Sequence, residues 1–222
     1  MLKLYSYFRS SAAYRVRIAL ALKSLAYDTI PVHLLRDGGQ HNGSAYRGAN
    51  PQGLVPALQM AERGPVLAQS LAIMEYLDEV HPAPALLPAD ALGRARVRGL
   101  AHMVACEIHP LNNLRVLNYL TQELGVSGAQ KDAWYAHWVA LGLRAVEDVL
   151  ARSGDTGRFC HGDTPGLADC CLVPQVFNAR RFNCALDAYP TIARIVDACE
   201  QLPAFRQAAP DMQPDAEHAL AR

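Results

Sequence analysis

The sequence predicts an α/β domain followed by an all-helical one, and three observations carry that prediction. Strand-like and helix-like segments alternate from residue 2 to residue 80. A proline-rich joint, His81-Pro-Ala-Pro-Ala-Leu-Leu-Pro88, then interrupts the pattern. Beyond the joint, apolar residues recur almost wholly at helical spacing. The expected organisation is residues 1–82 as the first domain, 83–93 as a linker and 94–222 as the helical domain.

Leu2–Phe8 is apolar and aromatic and reads as a strand. Ser10-Ser11 then opens a helix to Leu25, whose Tyr14, Ile18, Leu22 and Leu25 form an apolar stripe. Tyr27–Leu34 alternates apolar and polar residues as a second strand does. A β-α-β unit needs a crossover, so these two strands are expected to be parallel. Asp37-Gly-Gly39 and Asn42-Gly43 mark a flexible loop. Leu54–Met60 and Pro65–Ala68 flank a turn at Glu62–Gly64, which predicts an antiparallel hairpin. Gln69–Val80 is the second helix of this domain, with Ile73, Leu77 and Val80 on one face.

In the second domain, Val97, Leu100, Val104 and Ile108 recur at helical spacing, as do Trp134, Trp138, Leu141, Ala145 and Val149. Asp169–Phe177 and Thr191–Leu202 add two more helices. These stripes are expected to be core. A polar tail from about Pro210 is expected to be weakly ordered.

Composition removes several function classes. Lys+Arg and Asp+Glu both number 21, so no global field favours nucleic acid or anionic lipid. No apolar run is long enough to cross a bilayer, and the N-terminus is no secretory signal. The six cysteines form no C-x-x-C and no finger spacing, so neither a metal site nor a disulfide framework is expected. Cys170 and Cys171 read as small core residues, and a reducing, cytoplasmic compartment follows.

Three places can carry chemistry, each with an ordinary structural alternative. Ser10 and Ser11 sit where the first helical N–H groups lack partners. With Arg9 and Arg15 nearby, that helix end favours an anion, a thiolate included; the alternative is a plain serine cap. Val55-Pro56 precedes a strand. If its peptide bond is cis, the Val55 N–H and C=O turn outward to meet a peptide-like ligand; if trans, Pro56 merely starts the strand. Gln69-Ser70 opens the second helix and suits a carboxylate, or again only caps it. Gln40 and His41, in the glycine-rich loop, stand where a ligand could be covered.

The ordered set of Tyr5–Leu20, Asn50-Pro-Gln-Gly-Leu-Val-Pro56, Gln69-Ser-Leu-Ala-Ile-Met-Glu-Tyr-Leu77, Leu86-Leu-Pro-Ala-Asp90, Glu107-Ile-His-Pro-Leu-Asn-Asn-Leu-Arg115 and Gly162–Gln175 spans essentially the whole chain. It resembles the cytosolic glutathione S-transferases, and within them the zeta class. The resemblance implies a thioredoxin-like N-terminal domain that binds glutathione and a helical domain that contributes the acceptor side. It places the activating serine at Ser10, with Ser11 and Ala12 adjacent, where the family usually has cysteine at 12. It places the backbone clamp at Val55 before Pro56, the γ-glutamyl site at Gln69 and Ser70, and a loop contact at His41 or Gln40. In the second domain it places contacts at His109, where the family has glutamine, and at Asn113 and Arg115. Gly166 stands where related chains cap a helix with Ser or Thr, so Asp169 is expected to bind the Gly166 N–H alone, in a folding role.

The resemblance further implies cis–trans isomerisation of maleylacetoacetate by a borrowed thiolate, since Ala12 offers no sulfur of the protein's own. Maleylpyruvate is the alternative substrate, and a one-carbon difference is worth only ~1 kcal/mol of discrimination. A broad conjugating transferase and a noncatalytic glutathione-binding protein are the other readings. A dicarboxylate-like substrate calls for cations, and Arg9, Arg115, Arg180 and Arg181 are the candidates, each with a surface salt bridge as its alternative. Family members are usually homodimers.

Overall fold

The computed structural model describes residues 1–62 and 64–216. It divides into two compact units, Met1–Leu86 with Glu200–Arg222 and Leu87–Cys199. The division at Leu86/Leu87 falls within the 83–93 linker, but the segment from Glu200 onward belongs with the first unit rather than with the helical one.

The first unit is built on a four-stranded sheet of order β2-β1-β3-β4. β1 (Leu2–Ser6) pairs in parallel with β2 (Tyr27–Pro31) and antiparallel with β3 (Ala57–Gln59), which pairs antiparallel with β4 (Val66–Ala68). The parallel pair and the hairpin are as the sequence predicts. β1 stops two residues early because the Ser10 N–H bonds to the Tyr7 carbonyl at 2.9 Å, turning residues 7–10 out of the ladder.

α1 (Ser11–Leu22) is buried nearly all round from Ala13 to Leu20, not along one stripe. It ends before Leu25 in a Schellman turn. Ser24 takes φ 53°, its N–H bonds to Ala21 O at 3.1 Å, and the Leu25 N–H bonds to Leu20 O at 2.9 Å. The expected flexible loop is instead wound into two 3-10 turns, Arg36–Gly38 and Gln40–Asn42, and a short helix, α2 (Ser44–Arg47). α3 (Ser70–Val80) follows β4, with Ile73, Met74 and Leu77 fully buried and Val80 exposed.

Lys23 ties the ends of α1 and α3 to the proline joint. Its ammonium donates to Asp78 Oδ1 at 2.8 Å, His81 O at 2.7 Å and Pro84 O at 2.8 Å, and Asp78 Oδ1 also accepts the Leu86 N–H at 2.7 Å. All three donors of the ammonium are used, which is what makes a buried cation tolerable.

Within the second unit, α4 (Ala91–His102) starts on the Asp90 cap and runs into a π-helical stretch, Met103–Ile108. Val97, Leu100, Val104 and Ile108 are buried as expected. α5 (Leu114–Asn118) is short, and α6 (Gly128–Arg152) begins with a Ser127/Gln130 capping box. Its buried face is Tyr135, Val139, Leu143, Val146 and Leu150. The stripe chosen from the sequence lies on the other side, where Leu141 and Val149 are 54% and 41% exposed. A helix with apolar residues on both sides leaves periodicity two answers. α7 (Leu167–Arg181) is almost wholly buried and holds Cys170 and Cys171 in the core. Asp169 accepts the Gly166 N–H at 2.8 Å and also the Cys160 N–H at 2.9 Å, so it binds two donors rather than one. α8 (Pro190–Glu200) completes this unit. No described helix is long and apolar enough to cross a membrane.

Back in the first unit, α9 (Pro203–Ala208) and a 3-10 turn (Pro210–Met212) pack on α1 and the β1 end. The tail expected to be weakly ordered is thus built in through residue 216, and its last six residues, 217–222, lie outside the described residues.

Removing one member of a buried, hydrogen-bonded ion pair leaves the other uncompensated. Lys23→Ala is expected to lower the unfolding free energy by about 3–5 kcal/mol, measured by urea denaturation.

Candidate functional site

Ser10 has extended backbone (φ −69°, ψ 116°) and caps α1. Its Oγ accepts the Ala13 N–H at 3.2 Å, and its C=O accepts the Tyr14 N–H at 2.8 Å. The cap occupies an acceptor position of the hydroxyl and leaves its O–H hydrogen free to donate. Capping and donation to an anion are therefore compatible at one oxygen. Ser11 is buried, Ala12 is half-buried, and the first turn of α1 holds no acidic residue.

Two arginines of α1 turn inward. Arg15 is 2% exposed and its Nη1 donates to Ser70 Oγ at 3.2 Å, which joins the start of α1 to the start of α3. Arg17 is fully buried. Its guanidinium donates to Ala208 O at 2.9 Å, Ser6 Oγ at 3.2 Å, Tyr7 O at 3.5 Å and Phe8 O at 3.0 Å. Burial pulls its pKa down to about 10, opposed in part by Tyr27, Tyr14 and Asp215. It stays charged at neutral pH. Sequence reasoning missed Arg17, although a signal was present. Arg15 and Arg17 lie about 200° apart on a helix, with Val16 and Ile18 between and beyond them, so both cannot face water.

Arg9 is half-buried and its guanidinium stacks 4.8 Å above the Phe8 ring. The cation is thereby fixed one residue before the serine cap.

The Val55-Pro56 peptide bond is cis, the conformation on which the outward-facing reading depended. Val55 is 8% exposed, and among the described residues neither its N–H nor its C=O makes a hydrogen bond. Its neighbours are firmly held. Leu54 O accepts the Tyr46 hydroxyl at 2.6 Å and Asn50 Nδ2 at 2.7 Å, and Asn50 Oδ1 accepts the Gln52 N–H at 3.2 Å. Burial pushes the Tyr46 phenol up to about 12. A braced backbone edge with both polar groups unused suits the main chain of a peptide.

Gln69, at the N-cap of α3, has φ 70° and ψ 115°. A non-glycine residue in that region stores about 1–3 kcal/mol, and such strain concentrates at binding sites. Its Nε2 donates to Gln52 Oε1 at 2.6 Å, bringing the α3 start beside the segment that precedes Val55. Gln52 was also missed.

The glycine-rich loop separates its two candidates. Gln40 faces the loop itself, its Oε1 accepting the His33 N–H at 2.9 Å and its Nε2 donating to Asp37 at 3.1 Å. It lines a cavity of about 670 Å³ with Tyr5, Ile30, Val32 and Tyr46, a cavity that none of Ser10, Val55, Gln69 and Ser70 lines. Gln40 thus supports the loop. His41 is half-buried, and its carbonyl approaches Gly53, where an added Cβ would stand 3.0 Å away.

In the second unit, His109 opens a 3-10 turn (His109–Asn112) that directly follows the π-helical stretch. Such stretches recur at functional sites. Asn113 caps α5, its Oδ1 accepting the Arg115 N–H at 3.1 Å, and the Arg115 side chain is exposed. Arg180 is exposed and lies 3.9 Å from Asp197, while Arg181 stacks 4.7 Å from the Phe182 ring. Arg180 fits the surface salt bridge held open as its alternative.

Burial and the charge of Arg47 lower the His41 pKa below 6.5. The folded state favours the neutral ring, so as pH falls through 6.5 the unfolded chain takes the proton first and stability is lost. Replacing His41 by Gln is expected to make the acid limb shallower, read as a smaller change in urea midpoint between about pH 8 and about pH 5.

Residues 9–80 match the glutathione S-transferase N-terminal domain. Over 214 residues the chain is 56% identical to maleylacetoacetate isomerase of Pseudomonas aeruginosa, across 96% of this chain and 98% of that one. It superposes with TM-score 0.93 and 49% identity on a holo structure of maleyl pyruvate isomerase, a bacterial zeta-class enzyme, covering 97% of this chain and 100% of that one. A maleylacetoacetate isomerase from Anaeromyxobacter dehalogenans, solved with dicarboxyethyl glutathione and citrate in its active site, superposes with TM-score 0.86 and 46% identity, covering 98% of each chain. With the cis Val55-Pro56 edge, the strained Gln69 and the Ser10 cap in one unit, the chain belongs to the glutathione S-transferases, in their zeta class.

Proposed function

We propose that this chain is a glutathione-dependent maleylacetoacetate isomerase, and the observation that carries the reading is the Ser10 hydroxyl at the N-terminus of α1. The residues present fit glutathione. The unused N–H and C=O of Val55 match the main chain of its cysteine. Gln69 and Ser70, with the Arg15 charge behind them, suit its γ-glutamyl carboxylate. His41 stands for the loop contact. Bound glutathione supplies the nucleophile, a thiolate that adds to the electron-poor alkene, permits rotation about the resulting single bond and leaves unchanged.

The chain's own residues hold and tune that sulfur. Ser10 donates its hydroxyl hydrogen, and the helix end adds about half a positive charge, so the thiol ionises below its free value of ~8.5. Ser11, buried beside it, and Ala12 complete the turn without offering a competing thiol. Arg9, held over Phe8, meets a substrate carboxylate. In the second unit His109, Asn113 and Arg115 are proposed contacts, with Arg181 next in order and Arg180 last, given its Asp197 partner. The enzyme is proposed to be a cytoplasmic homodimer. All six cysteines are free thiols, in keeping with a reducing compartment.

Maleylpyruvate isomerisation is the second reading, supported by the likeness to maleyl pyruvate isomerase. Turnover of maleylacetoacetate and maleylpyruvate side by side, with and without glutathione, decides between them. The first is expected to have the larger kcat/KM, and neither is expected to turn over without glutathione.

Ser10→Ala is expected to lower kcat by about 100-fold, with a smaller effect on glutathione affinity, and to raise the ionisation midpoint of the bound thiol seen in the ultraviolet. Gln69→Gly removes backbone strain, so its unfolding free energy is expected to be equal or about 1 kcal/mol higher, while the glutathione Kd measured by calorimetry rises.

A further inference from the structure

The chain after α8 returns to the first unit and reaches the turn that precedes Ser10. Phe205 is buried and its carbonyl accepts the Tyr14 hydroxyl at 3.4 Å. Ala208 O, at the end of α9, takes the Arg17 Nε–H at 2.9 Å. The segment is braced from within, for the buried Gln213 donates its amide N–H groups to Gln207 O and Ala209 O, each at 2.9 Å. It then presents Asp215, whose Oδ2 accepts the Phe8 N–H at 3.0 Å, and Ala216 packs on the cluster that contains Tyr7 and Phe8.

Phe8 is thus held at both ends of its backbone, by Asp215 at the N–H and by Arg17 at the C=O. Its neighbour Tyr7 offers the carbonyl that accepts the Ser10 N–H. Its ring carries the Arg9 guanidinium. The other oxygen of the carboxylate, Oδ1, is buried without a hydrogen-bond partner among the described residues. Burying an unpaired polar atom costs stability, and the Arg17 charge that Asp215 faces offsets part of that cost.

We propose that Asp215 is a positioning residue that, with Arg17, straps the 203–216 segment to the Tyr7–Ser10 turn and so fixes both the Ser10 hydroxyl and the Arg9 cation. The proposal rests on the reading of Ser10 as the thiol-activating residue for its catalytic consequence, but not for its structural one. Asp215 touches neither the sulfur nor the substrate; it acts through Phe8.

Asp215→Ala tests it with two independent readouts. In the protein without glutathione, amide hydrogen exchange at Phe8 and Ser10 is expected to quicken at least tenfold relative to amides in α8. With glutathione bound, the ionisation midpoint of its thiol is expected to rise, and kcat to fall roughly 10–100-fold with KM for glutathione changed less than twofold. Asp215→Asn keeps an acceptor oxygen for the Phe8 N–H and is expected to restore most of both. If Asp215→Ala fails to fold, Asp215→Leu, which fills the same space without an acceptor, is read in the same way. Unchanged exchange at Phe8 and Ser10 overturns the strap, even if the melting temperature falls. Quickened exchange with an unchanged thiol midpoint and unchanged kcat overturns the positioning role. Ser10→Ala, run in parallel, separates the two readings, since an unshifted midpoint in that variant removes the role of Ser10 itself while the exchange data still decide the strap.

Discussion

One guanidinium organises the first unit. Arg17 sits in a place where a charge is expensive, and it is tolerated because its fork meets three carbonyls and a hydroxyl. Those acceptors are the last residue of β1, the two residues that leave it, and the end of α9. β1 therefore cannot continue past Ser6, the chain must turn, and the turn delivers Ser10 to the first position of a helix. Lysine would not substitute, for a single ammonium cannot span acceptors so far apart in one plane. The local chemistry of the serine cap is ordinary; its placement is not.

The rest of the proposed site follows a common economy, in which main-chain groups and helix ends are assigned the binding and side chains adjust. Val55 offers its backbone edge, α1 and α3 offer their N-termini, and Gln69 accepts a strained conformation to shape the second of these. Asn50 and Tyr46 hold the segment before Val55 by bonding one carbonyl, Leu54 O, twice. Such groups are rigid before any ligand arrives, which lowers the entropy lost on binding.

Much of this was legible beforehand. The succession of strands and helices, the parallel first pair, the hairpin and the serine-led helix were all readable from periodicity and turn residues, because local pattern and global fold agree there. Ser10, Val55 and Gln69-Ser70 stood out as helix starts and an X-Pro step. The rest failed for identifiable reasons. Gln52 and Asp215 act through partners up to 207 residues away in sequence, and no local pattern records such pairs, while for Arg17 helix geometry showed that one of two arginines must turn inward but not what it would meet. The face of α6 was misread because Tyr135, Val139, Leu143 and Leu141, Ala145, Val149 are equally periodic, and only packing chooses between them. Gln40 and His41 could not be ranked until the loop was seen to close on Gln40 itself.

A protein that activates a foreign sulfhydryl must keep its own from reacting in its stead. Cys160 and Cys170 are wholly buried, and desolvation holds both well above the usual thiol range, with the Asp169 carboxylate adding to the effect. Burial likewise raises Cys184, and at residue 12 a methyl group stands beside Ser10 where a sulfur would be most exposed to the same activation. Mixed-disulfide exchange needs an ionised attacker within reach, and Cys160 and Cys170 are neither ionised nor within reach. The fold thus withdraws its core thiols from exchange and leaves Cys106 as the exposed one among the described residues, so the core can meet a high tripeptide concentration without being glutathionylated.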